Sequence, residues 1–82
     1  MILLDLLLGM KVSAALVSDP RVDAFGVTVR ARRGRVILEG RVDTEEQRLA
    51  AEETALTVPG VLDVVNDIVV ARSEDGQRIG IL

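Results

Sequence analysis

The chain has 82 residues, enough for one small domain, and its 10 basic and 13 acidic residues leave a net charge of −3. It has no Cys and no His, which excludes disulfides, thiolate chemistry, ordinary zinc sites and an imidazole proton shuttle. The acidic balance and the single aromatic residue, Phe25, argue against nucleic acid as a partner, because polyanions need a basic surface and single strands need stacking platforms.

A chain of this size hides only about 60–65% of its unfolded surface, so small domains commonly add a disulfide, a metal or a partner chain. With the first two excluded, association is the remaining route to extra stability. Lack of Cys is also compatible with a reducing compartment.

The opening MILLDLLLGM has six Leu or Ile residues in its first eight. From Leu3 to Val17 only Gly9 disfavours a helix, at a cost of about 1 kcal/mol relative to Ala. At helical period, Leu3, Leu6, Leu7, Met10, Ala14 and Val17 form one apolar stripe, and Leu4, Leu8, Val12, Ala15 and Leu16 form a second. A helix apolar on most sides is expected to be buried against something. Asp19-Pro20 ends it, because the residue before Pro is pushed out of the helical region.

The segment is too short for a transmembrane helix and has Asp5 and Lys11 inside it. It lacks the basic flank of a signal peptide. A cytoplasmic location is expected on those grounds, with peripheral membrane association as the variant.

From Phe25 the period becomes two. Phe25, Val27, Val29 and Ala31 alternate with Gly26, Thr28, Arg30 and Arg32. After Arg33-Gly34, Val36, Leu38, Gly40 and Val42 alternate with Arg35, Ile37, Glu39 and Arg41. Two such runs around a short Gly-containing turn predict a β-hairpin. Gly40 leaves a gap on the inner face, which predicts close approach of a helix.

Asp43-Thr44-Glu45-Glu46-Gln47 is a helix start, with an acceptor for free N–H groups and acidic residues at the positive helix end. The helix is expected to run to about Val58, where Pro59-Gly60 stops it, with Ala51, Ala55 and Val58 facing the core. Leu49 and Leu56 fall on the opposite, acidic side and are expected at the edge of the core. A third strand is expected from Val61 to Ala71. One domain over residues 1–71 follows, with a mobile tail over 72–82.

The order is α-β-β-α-β. The fold class is therefore α+β: an αββαβ two-layer sandwich, with two helices packed on one face of a three-stranded mixed sheet. The helical connection between the second and third strands predicts a right-handed crossover and a parallel pair.

At this point the residues resemble the BON domain family, named for a bacterial osmotic-shock protein and nodulation proteins. The resemblance is carried by Val12, Ala15 and Leu16, then Asp19-Pro20-Arg21-Val22, and Val27-x-Val29. It continues through Gly34-Arg35-Val36-Ile37-Leu38-Glu39-Gly40-Arg41-Val42 and Ala51-Glu52. Val58-Pro59-Gly60-Val61 and Val64-Val65-Asn66-Asp67-Ile68-Val69-Val70 complete it. The resemblance implies the same αββαβ order, places Leu8, Val12 and Leu16 in the core, and implies a phospholipid-surface or stress-response setting linked to envelope or osmotic stress.

If Leu8, Val12 and Leu16 face inward, then Leu3, Leu6, Leu7, Met10, Ala14 and Val17 are surplus. Their three- and four-residue spacings suit helix packing. Burying ~400 Å² of this stripe would contribute on the order of 10 kcal/mol per chain before association costs. A homodimer or higher oligomer formed through this helix is the expected partner arrangement.

Arg30, Arg32, Arg33 and Arg35 cluster at the hairpin tip, and Arg41 shares the outer sheet face with three of them. The plain reading is a solvated turn whose charges protect an edge strand. The sharper reading is an anion or phospholipid site, since guanidinium forks suit phosphate.

Catalysis is not expected, and neither are a cofactor, a metal or a small-molecule substrate. Ser13, Ser18 and Ser73 have no positioned base, and Glu45-Glu46 and Glu52-Glu53 point about 100° apart on a helix. Asp63, Asp67, Glu74 and Asp75 fit no recognised cation loop.

Overall fold

The computed structural model describes residues 2–71. The tail expected over residues 72–82 lies outside the described residues. The elements follow the expected order: α1 (Ile2–Ser18), a short 3₁₀ turn (Ala24–Gly26), β1 (Val27–Arg32), β2 (Arg35–Val42), α2 (Glu45–Leu56) and β3 (Asp63–Val70).

The sheet order is β1-β2-β3. β1 runs antiparallel to β2 and β3 runs parallel to it, so the sheet is mixed. The central strand contributes most to the core because it is paired on both sides: Val36 and Leu38 are fully buried, beside Val42. Leu8, Val12 and Leu16 close over it from α1, and Ala51, Ala55 and Val58 from α2 and its exit, with Ile68 from β3. The two helices share one face of the sheet, α1 over β1 and α2 over β3.

The hairpin turns at Arg33-Gly34, whose φ values of 54° and 87° lie in the left-handed region that a type I′ turn requires at both positions. Gly satisfies this freely and Arg does not. Asp5 offsets part of that cost: its Oδ1 accepts the Arg33 N–H at 2.9 Å and ties the turn to the first part of α1.

Thr44 caps α2, accepting from the Gln47 N–H at 3.1 Å, and Gln47 Oε1 in turn accepts from the Asp43 N–H. Asn66, polar on the inner face of β3, is satisfied by α2: its Nδ2 donates to the Arg48 carbonyl and to Glu52 Oε1, and its Oδ1 accepts from the Ile68 N–H.

Several local expectations are corrected. Phe25 is not the first residue of a strand; it sits in the 3₁₀ turn, fully exposed. The gap at Gly40 does not receive a helix. A Cβ there would collide with the backbone carbonyl of Gly26, and the φ of 129° adds a second barrier to any side chain. Gly26 in turn lies against the Arg41 carbonyl, so this glycine pair lets the start of β1 press onto β2. Leu4 is 68% exposed although it belongs to the inward stripe, because it lies beside an open cavity rather than over the sheet. α2 stops at Leu56 rather than Val58, and Leu49 and Leu56 remain half exposed on its acidic side.

Candidate binding surfaces

The buried i, i+4, i+8 row of Leu8, Val12 and Leu16 fixes the rotation of α1, and the remaining apolar residues must then point elsewhere. Leu3, Leu6, Leu7, Met10, Ala14 and Val17 are all exposed, with Val17 at 73% and Leu7 the least exposed of the large ones at 45%. The expected stripe is therefore present as one apolar surface along the helix. Leu4 extends it around the first turns.

Beside those turns the surface deepens. Leu4, Leu7 and Leu8 of α1 face Pro59, Gly60 and Leu62 across an open cavity of about 530 Å³, with Lys11 and Arg33 among its lining residues. Leu62 is 82% exposed, just ahead of β3, and packs against Gly34 of the hairpin turn. The sequence pattern assigned Leu62 to a strand and gave no sign of this tip, since it arises only when three separate segments meet.

A second open groove of about 670 Å³ runs between α1 and the edge strand β1. Its helix side is Asp5, Leu6, Gly9, Met10 and Ser13, and its strand side is Val29 to Ala31; the Asp5 carboxylate is already engaged by the Arg33 N–H.

All five candidate arginines are exposed, but they do not form one site. In the outer sheet face Arg32 sits beside Arg35, which sits beside Asp63. Arg35 pairs with Asp63 at 3.2 Å, and Arg30 pairs with Glu39 at 3.5 Å. Arg41 lies six residues along β2 from Arg35, about 20 Å away at strand rise, and does not join the tip. Among the described residues Arg32, Arg33 and Arg41 have no carboxylate partner within ion-pair distance.

At the far end of α1, Asp19 anchors the helix exit to α2. Its carboxylate accepts from the Arg21 backbone N–H at 2.9 Å, from the Arg21 guanidinium and from the Thr54 hydroxyl, while Arg21 also pairs with Glu53 at 2.8 Å. The Arg21 side-chain bonds, and then the Thr54 hydroxyl, hold the Asp19 carboxyl far below the usual carboxylate range. This network ties the exit of α1 to α2.

The BON domain family matches residues 5–72, most of the chain. The chain belongs to the BON domain family. BON domains are non-catalytic binding modules associated with phospholipid binding. A relative from Anaplasma centrale, an "Uncharacterized protein in gshII 5'region", is 46% identical to this BON domain over 48 residues. That match covers 58% of the chain and 32% of the relative. Among the described residues no helix is long and apolar enough to cross a membrane, and no group of His, Cys, Asp or Glu side chains is placed to hold a metal ion.

Proposed function

We propose that this BON domain is a non-enzymatic interaction module that associates with a second copy of itself through the outward face of α1. The observation that carries the reading is the joint exposure of Leu3, Leu6, Leu7, Met10, Ala14 and Val17 on one helix while that helix is already anchored by Leu8, Val12 and Leu16. Contiguous exposed apolar surface of this kind marks an interaction site in soluble proteins. A two-fold pair of α1 helices covers the same residues on both copies. Polar replacement of Leu6, Leu7 and Met10 together tests it: the solution mass falls to that of one chain and the fold is retained. A native protein of monomeric mass at every concentration overturns the reading.

A second reading, binding at an anionic phospholipid surface, is supported by the apolar tip. There Leu4, Leu7 and Leu62 surround a cavity that also meets Lys11 and Arg33. Leucines that enter the acyl boundary beside cations that meet phosphate are what an interfacial anchor needs. α1 has one cation, Lys11, which ranks this reading second. Co-sedimentation with anionic vesicles at low and high salt tests it: Arg32→Glu with Arg33→Glu removes binding and leaves the solution mass unchanged.

A further inference from the structure

We infer that the groove between α1 and β1 is a site for β-strand addition, which takes an extended peptide from a partner protein with alternating apolar and acidic residues. The inference is independent of self-association.

The first observation is the state of the β1 backbone. β1 is an edge strand whose neighbour in the sheet is β2. The two-residue turn at Arg33-Gly34 makes Arg32 and Arg35 the closing pair, which exchange both backbone hydrogen bonds. The ladder alternates from that pair, so Arg32, Arg30 and Thr28 direct their backbone groups to β2. Ala31, Val29 and Val27 direct theirs to the open edge. The Val27 N–H is taken by the Ala24 carbonyl. Among the described residues, the N–H groups of Val29 and Ala31 and the carbonyls of Val27, Val29 and Ala31 remain to template another strand.

The second observation is width. Packed helices stand about 8–10 Å apart, whereas neighbouring strands stand about 4.8 Å apart. The axes of two helices and the centres of three strands thus span similar widths, and the helices, each about 10 Å across with side chains, overhang the edge strands. α1 packs over the edge strand rather than over the sheet centre. Its Leu6 and Met10, each 59% exposed, line the groove together with Gly9 and Ser13. A fourth strand laid along β1 would bring its inward side chains under these residues and complete a four-strand, two-helix sandwich.

The third observation selects the peptide. Outward-facing residues of the added strand would lie beside Thr28, beside Arg30, which already pairs with Glu39, and beside Arg32, which has no carboxylate partner among the described residues. Opposite charges across a strand pair favour pairing and like charges oppose it, so Asp or Glu fits the outward positions and Val or Ile the inward ones. A second copy's own edge strand is a poorer occupant, because its overlying helix would meet α1 at the spacing of one strand.

The test titrates the full chain with a synthetic nonapeptide that has Val or Ile at every second position and Asp or Glu between them, read by amide NMR. The expected result is slowed exchange at the Val29 and Ala31 N–H groups, with Arg30, already bonded to β2, unchanged. The Lys-for-acid peptide should bind about ten-fold more weakly, and Arg32→Glu should narrow that preference. No protection of Val29 and Ala31 overturns the inference, as does equal binding of both peptides. Peptide-free protection that rises with protein concentration also overturns it, because a second copy then occupies the edge. A monomeric native protein that binds the peptide defeats the self-association reading and leaves this inference standing.

Discussion

Replacing Leu6 and Met10 with Gln separates what α1 does for its own fold from what it does for a partner. Each side chain is 59% exposed and outside the core cluster. Complete burial of such a side chain is worth about 1.5–3 kcal/mol, so covering the exposed part gains about 1–1.5 kcal/mol. Each replacement counts twice in a two-fold pair, which brings the loss to about 5 kcal/mol, or three to four decades in dissociation constant. Folding of the single chain should change by no more than about 0.5 kcal/mol, since Gln matches Leu and Met closely as a helix former. Sedimentation equilibrium reads the first effect. Urea unfolding reads the second, at a concentration where both proteins are monomeric, because association adds apparent stability by mass action. A variant that keeps the native mass, or one that loses more than about 2 kcal/mol of folding stability, would refute the reasoning.

Three further outcomes follow from the geometry. Gly40→Ala should cost more than about 2 kcal/mol or prevent folding, measured by urea denaturation, because the new methyl meets the Gly26 carbonyl at a positive φ. Arg33→Asn should stabilise by about 0.5 kcal/mol in the same measurement, since Asn tolerates the left-handed region better than Arg in a type I′ turn. Asp19 has a depressed pKa, so its contribution is fully present above the ordinary Asp value of about 3.9 and is lost as pH falls below it. The stability difference between native protein and Asp19→Asn should shrink as pH falls below about 4; a difference constant with pH would contradict the network.

Much of the fold was legible because its signals are local and periodic. The hairpin is written as two alternating runs, α2 as a Thr44 cap followed by Ala51 and Ala55, and the inward row of α1 as Leu8, Val12 and Leu16. Features that depend on two segments meeting were not legible. Gly40 signals a close approach in sequence, but only the folded register shows that the approaching group is the Gly26 backbone. Asp5 reads as an interruption in an apolar helix, whereas the fold uses it to hold the Arg33 N–H. The spacing of the arginines was not legible either. Shared alternation put Arg41 on the face of Arg30, Arg32 and Arg35, but alternation carries no information about distance along the strand or about the carboxylates of Glu39 and Asp63.

On the self-association proposed above, a second copy of the chain covers the outward leucines of α1. Mass by light scattering across a hundred-fold range of native protein concentration tests it most directly. The expected result is a rise to twice the chain mass of 8.8 kDa, reversible on dilution. A single-chain mass throughout that range would contradict it.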